Sequence, residues 1–273
     1  MATKTKQLPT GIADHEQVIP FEESFKCPSS KGTITFDAQS YQQWVYDTLP
    51  LASQVEPMDA HTARTKGMKI GEYVFYMRPM DTWYWASRYA TLTPFALPFL
   101  DNSPKIAKRT KLELMRSGKV CAWCSFDKPV IIPVLAQPEY DGTLAPWMSL
   151  TPNEILSQRG QVRRSKGKVG MAGLGLGWAA RRVLERKQVK HLTVVERDPD
   201  IIKHFGQPLK QLFSDKLTLV CGDAYEQDWL QYDVSMWDIW ESYNGVAFDS
   251  RYNQIHRQII AAGKTSVYWG SMS

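Results

Sequence analysis

From about residue 165 onward, short apolar runs alternate with amphipathic stretches. The runs predict strands at 168–172, 191–196, 217–221, 233–238 and 265–269. Between them the pattern predicts helices at about 176–187, 199–212, 224–230 and 249–262, the second broken or kinked near Pro208 because proline removes a helical donor. Strands alternating with helices predict a parallel sheet covered on both faces. The strands are largely apolar, as burial on both faces requires. Right-handed crossovers then make the sheet doubly wound, an α/β fold.

The first half is less regular and reads as α+β. Thr33-Ile34-Thr35-Phe36 predicts a strand, and 42–49 a short helix broken at Pro50. A strand at 72–77 is bounded by Gly71 and Pro79. A helix at 104–116 would take Asn102 or Ser103 as cap and Pro104 in its first turn. Strands at 119–126 and 130–135 flank Asp127-Lys128-Pro129. Residues 1–30 carry Pro9, Gly11, Pro20 and Pro28 among polar residues, and read as a flexible lead-in. The expected division is therefore 1–30, an α+β region at 31–150, and an α/β domain at 151–273.

The strand at 168–172 ends in Gly173-Leu174-Gly175-Leu176-Gly177-Trp178. Three glycines spaced by two give a tight turn whose backbone a bound ligand can approach, and positive φ is allowed there. Amides at the head of the next helix favour a negative group. A tight turn without a ligand has the same pattern. Nineteen residues beyond Gly177 the next strand ends in Glu196. Together these describe a pocket for an adenosine-like ligand. Trp178 stands where a nicotinamide fingerprint needs a small residue, which argues against that class.

Bulk properties narrow the picture modestly. The chain has 273 residues, a net charge of +5 and 22% charged residues, within the range of ordinary globular proteins. The charge is too small to imply nucleic acid by itself. No run of eighteen apolar residues predicts a membrane span, and no apolar segment follows the N-terminus as a secretory signal requires. Four cysteines fit a reduced, cytoplasmic setting. Cys121 and Cys124 form a lone C-x-x-C, and Cys27 and His61 lack the spacing to complete a zinc site, so no metal is expected. Arg159, Arg163, Arg164, Lys166 and Lys168 read as a solvated linker, with nucleic-acid contact as the alternative. Met80-Asp81-Thr82-Trp83-Tyr84-Trp85 reads as core or as an aromatic substrate wall.

Residues 165–270 resemble the class I S-adenosylmethionine-dependent methyltransferases, most closely the spermidine-synthase-like branch. Four segments carry the likeness: Gly173-Leu174-Gly175-Leu176-Gly177, Val194-Val195-Glu196-Arg197-Asp198-Pro199-Asp200, Val220-Cys221-Gly222-Asp223-Ala224, and Tyr232-Asp233-Val234-Ser235-Met236-Trp237-Asp238. The resemblance implies a Rossmann-like, mostly parallel sheet and S-adenosylmethionine, or its decarboxylated form, as donor. It implies that Gly173, Gly175 and Gly177 line the methionine part, that Glu196 binds the ribose hydroxyls, and that Asp223 and Ala224 hold the adenine. Asp198, the weaker ribose candidate, reads as a helix cap, and a cap is the alternative reading of Asp223. Asp238, at the end of the fourth strand, is the candidate catalytic residue, orienting or deprotonating the nucleophile. Trp237 and Trp240 read as an aromatic wall or as core. Before the first strand lies Met148-Ser149-Leu150-Thr151-Pro152-Asn153-Glu154, whose Thr151-Pro152-Asn153-Glu154 reads as a capping box, while the resemblance implies that this stretch lines the donor site through Glu154 or Gln158.

Two departures matter. The branch has an acidic residue inside its glycine turn, where this chain has Leu176. The chain also ends just after the fifth strand, so the family's sixth and seventh strands have no residues, and the N-terminal region is expected to cover the exposed edge. The expectation is a methyltransferase of unknown acceptor. The alternatives are a spermidine-synthase-like aminopropyltransferase and a catalytically inactive nucleotide-binding protein. The acceptor can be a small molecule, a protein or a nucleic acid. A homodimer is compatible with the open edge, and no membrane partner is expected.

Overall fold

The computed structural model describes residues 18–25, 32–80, 83–87, 120–240 and 249–269. The predicted helix at 104–116, Cys27 and most of the lead-in lie outside them. In the first half, strand β1 (Val18–Ile19) pairs in parallel with β2 (Gly32–Phe36). Asp37 then caps helix α1 (Ala38–Thr48), accepting from the amides of Gln39 and Ser40. Helix α1 starts earlier than the pattern predicted because that cap precedes the first apolar position. Helix α2 (Ala60–Lys66), which the sequence did not reveal, is capped by Asp59. Strands β3 (Met68–Ile70), β4 (Tyr73–Met80), β5 (Trp83–Ser87), β6 (Val120–Phe126), β7 (Val130–Pro138) and β8 (Leu144–Ser149) follow.

These strands divide between two sheets. One has the order β1-β2-β6-β5, the other the antiparallel order β3-β4-β7-β8. The two strands flanking Asp127-Lys128-Pro129 therefore belong to different sheets and do not form a hairpin. Strand β4 runs through Pro79 because β3 covers only Tyr73–Phe75 of it, leaving no ladder partner on that side to miss the proline donor. Within the expected flexible lead-in, the described stretch 18–25 is anchored by its two phenylalanines, while Val18, Pro20, Glu22 and Ser24 stay exposed. Phe21 and Phe25 are buried, with Phe21 4.9–5.1 Å, ring to ring, from Phe36, Tyr41 and Trp44.

Helix α3 (Pro152–Arg164) links the halves, with Thr151 as its cap. The expected basic linker is thus partly helix, and Arg159 donates to the Phe25 carbonyl at 2.6 Å. The buried Tyr41 hydroxyl donates to the Leu150 carbonyl at 2.6 Å, which fixes the start of α3 against α1. Then come β9 (Gly167–Ala172), α4 (Trp178–Leu184), β10 (Val189–Glu196), α5 (Pro199–Ile201), a π-helical turn (Ile202–Gly206), α6 (Gln207–Leu212), β11 (Leu217–Cys221), β12 (Val234–Trp237), α7 (Ser250–Ala261) and β13 (Thr265–Tyr268). The break expected at Pro208 takes the form of this wide turn. Its bond from Gln207 N–H to the Ile202 carbonyl lets the chain stay helical past a residue with no N–H.

The sheet order is β11-β10-β9-β12-β13, every pair parallel. This is the Rossmann-like, doubly wound α/β arrangement, with the chain's direction across the sheet reversing between β9 and β12. Among the described residues no strand of the N-terminal region extends it beyond β13, because those strands are committed to their own sheets. The expected cover of that edge by the N-terminal region is not seen as strand pairing. Trp269 instead donates to Ser157 of α3 at 3.0 Å. One hydrophobic core runs through both halves, from Phe75 and Leu135 to Val169 and Leu192. Phe75 and Phe205 meet edge to face at 5.8 Å. Among the described residues, no helix is long and apolar enough to cross a membrane.

Candidate functional site

The loops after β9, β10, β11 and β12 emerge on one edge of the sheet, where an open α/β sheet leaves its crevice. Backbone bonds extend the ladder past the strand ends: Gly173 N–H to Val195, Gly222 N–H to Glu196 and Asp238 N–H to Ala172, at 2.9, 3.0 and 3.0 Å. The four segments picked out in the sequence are thereby held side by side.

The glycine turn has positive φ at Gly173 (+86°), Gly175 (+54°) and Gly177 (+79°), so three side chains are excluded on backbone grounds alone. Space adds to this. A Cβ at Gly173 would overlap the backbone carbonyl of Asp238, and one at Gly175 would overlap the sulfur of Met148. The chain's own atoms, and not just room for a ligand, account for the glycines. Trp178 opens α4 and is buried.

Glu196 is half-buried. Its Oε2 accepts the Leu174 N–H at 2.9 Å and its Oε1 accepts the Asp198 N–H at 3.0 Å, so the carboxylate clamps the glycine turn to the loop after β10. Asp198 caps α5, as expected. Asp223 caps the 3-10 turn Ala224–Glu226 through the Tyr225 N–H at 2.8 Å, and its Oδ2 lies 3.7 Å from Arg251. Ala224 is buried, its carbonyl accepting from Trp229 Nε1 at 2.7 Å.

A cavity opens between α3 and the glycine turn. Gly173, Gly177, Glu154, Gln158, Gln161 and Asp238 line part of it, as do Met148 and Trp178. Gly175, within the turn, and Glu196, Asp223 and Ala224, along the neighbouring strand ends, are not among its lining residues. Among the lining residues there is no lysine or arginine. Desolvation, with the charge of Glu196 adding to it, pushes the Asp238 carboxyl up to about 7. Burial, with Asp238 as the second cause, holds Glu154 well above the usual carboxylate range. Gln158 Nε2 donates to both, at 2.5 Å to Glu154 Oε1 and 3.0 Å to Asp238 Oδ2.

The capping box is half-formed. Thr151 Oγ1 accepts from Glu154 N–H at 3.3 Å, but the Glu154 carboxylate turns to Gln158 and leaves Oε2 without a partner. Trp237 is core, packed against Trp229 at 4.3 Å and Tyr252 at 5.2 Å. Trp240 is half-buried and donates to Asp249 at 2.8 Å. Cys121 and Cys124 lie within β6, and the described residues contain no cluster of three metal-binding side chains. The resemblance set the stretch that begins at Met148 beside the donor without giving Met148 a role of its own, and nothing in the sequence pointed to Gln161. Both become cavity walls through packing between distant elements, which no local pattern encodes.

No protein-family model and no curated protein matches the chain. Among solved structures it is similar to a methyltransferase of Podospora anserina bound to SAH (18% identity, 44% of this chain and 50% of that one, TM-score 0.33). It is similar to a spermidine synthase in complex with the transition-state analogue AdoDATO (18% identity, 46% and 50%, TM-score 0.32). A third is Trm5b of Pyrococcus abyssi (11% identity, 50% and 47%, TM-score 0.28). The chain spans about half the length of each.

Proposed function

We propose that the protein is an S-adenosylmethionine-dependent methyltransferase. The observation that carries this reading is the alignment, on one sheet edge, of a side-chain-free glycine turn, a strand-end carboxylate bonded to that turn, and a desolvated Asp238 beside a cavity. Glu196 keeps lone pairs beyond the two it uses, enough to accept from a cis-diol. Asp223 and Ala224 flank the next strand end, in position for a base edge. The donor would supply an electrophilic methyl carbon on a sulfonium. Asp238 then orients the nucleophile and takes up its proton. A carboxyl titrating near 7 can accept a proton at neutral pH without holding it irreversibly.

A second reading is favoured by one feature. Glu154 and Asp238 line the cavity with no lysine or arginine, which suits an amine-ended tail better than a carboxylate. On that reading the donor is decarboxylated S-adenosylmethionine and the transferred group is aminopropyl. A reduced, cytoplasmic setting is proposed on cysteine usage alone.

Calorimetry with both donors, on wild type and Glu196→Ala, tests the pair. Binding of either donor by wild type, weakened in Glu196→Ala, is expected, and preference between donors chooses the reaction. Transfer of labelled methyl into a cell extract then identifies the acceptor. Absence of binding to both donors would sink the proposal. Tight binding without turnover would leave a nucleotide-binding protein.

A further inference from the structure

The proposed donor would lie along the glycine turn, and a side chain of this protein already lies there. Met148 belongs to β8, one residue before the buried Ser149. Its Sδ accepts the Leu176 N–H at 3.0 Å. The same sulfur and its methyl fill the space beside Gly175. The Leu176 amide is one of the groups the turn has to offer a ligand. A thioether is a weak acceptor for it, one that a ligand oxygen would replace at a gain.

Beyond the methionine, three of the residues that line the cavity each hold a buried polar atom with no partner: Glu154 Oε2, Gln161 Nε2 and Trp178 Nε1. Their residues are only 3, 3 and 5% exposed. Buried polar atoms are rarely left unpaired unless an occupant supplies the missing bonds. Met148 itself is partly exposed. Its unbranched side chain has three rotatable bonds, so it can leave the turn without moving β8.

From these contacts we infer that Met148 is a built-in plug of the donor cleft and a determinant of its affinity. Closed, its thioether stands on the Leu176 amide. Open, it swings aside and the ligand takes the turn. The inference rests on the donor reading above. The apparent affinity of such a site is its intrinsic affinity reduced by the fraction of molecules in the open state. Removing the plug therefore tightens binding, while a side chain of similar bulk does not.

S-adenosylhomocysteine, which cannot turn over, is titrated into wild type, Met148→Ala and Met148→Leu. Binding is expected to tighten by roughly fivefold or more in Met148→Ala and to stay within about twofold of wild type in Met148→Leu. Wild type labelled with carbon-13 at the methionine methyls gives a second readout that needs no destabilising variant. The resonance missing from the Met148→Leu spectrum belongs to Met148, and it should shift at saturation. Equal or weaker binding by folded Met148→Ala, or a Met148 methyl that does not move at saturation, overturns the plug and leaves the donor reading intact. No binding of S-adenosylhomocysteine by any of the three proteins overturns the S-adenosylmethionine reading, and the plug with it.

Discussion

The side-chain nitrogen of Gln158 stands 3.0 Å from Asp238 Oδ2, joining the middle of α3 to the end of β12 across eighty residues of sequence. The same nitrogen donates to Glu154. One neutral amide therefore serves two carboxyls that burial has made reluctant to ionise. Gln158→Leu keeps the bulk and removes both donors. It should cost about 1–3 kcal/mol of stability in urea denaturation, the range for buried groups stripped of a partner. A loss below a few tenths would show that the bridge is not maintained in solution.

The raised carboxyls make stability depend on pH. In the unfolded chain an aspartate ionises near 3.8, and folded Asp238 does so near 7. Between these values the folded state binds more protons than the unfolded one, so stability falls as pH rises through that window. Asp238 alone accounts for at most roughly 4 kcal/mol. Glu154 shifts in the same direction. Urea midpoints from pH 4.5 to 7.5 should decline for wild type, and Asp238→Asn should flatten the slope. Transfer activity should run the opposite way, rising with a midpoint near 7 as Asp238 ionises.

The glycines of the turn should differ in their tolerance. Alanine at Gly173 meets both positive φ and the Asp238 carbonyl, a backbone atom that cannot yield cheaply. Alanine at Gly177 meets Leu209 Cδ1 at 3.2 Å, the end of a flexible side chain. Gly173→Ala should cost about 3 kcal/mol or more, and Gly177→Ala about 1–2 kcal/mol, mostly from left-handed backbone. Thermal melting of the two variants provides the comparison. Equal losses would mean that the backbone clash relaxes.

Glu196→Ala leaves two amides, those of Leu174 and Asp198, without their acceptor. A loss of about 1–3 kcal/mol is expected, together with donor affinity lowered by more than about tenfold, or 1.4 kcal/mol. Glu196→Gln retains one acceptor oxygen and should fall between. Asp223→Asn keeps a good cap, so its effect should appear in donor affinity with melting temperature nearly unchanged. A variant that loses stability but binds normally would confine Glu196 to a structural role.

Much of the C-terminal sheet was legible because its signals are local. Five apolar runs became five strands with ends displaced by a residue or two, and the glycine turn sits where the spacing put it. The first half was harder to read. Strand β8 contains Pro146 and little alternation, and helix α2 is seven residues long with one buried position, Ala63. Neither offers a period long enough to detect. Glu154 shows the limit at the site. As sequence it completes a capping box, but folded it faces a cavity, because packing of α3 against the strand ends leaves its carboxylate nearer Gln158 than its own cap.

In the C-terminal half the sequence by itself determined the order of the five strands, the backbone that only glycine can adopt at 173, 175 and 177, and the positions of Glu196, Asp223 and Asp238 at or just past the strand ends. These follow from periodicity and from φ preferences, which act over a few residues. The tertiary structure decided what surrounds those positions. It separated the N-terminal strands into two sheets, set Glu154 and Asp238 around one amide, and laid Met148 on the glycine turn. Each of these is a contact between elements far apart in the chain. Its energy depends on desolvation and fit at the meeting point, and no local pattern carries that information.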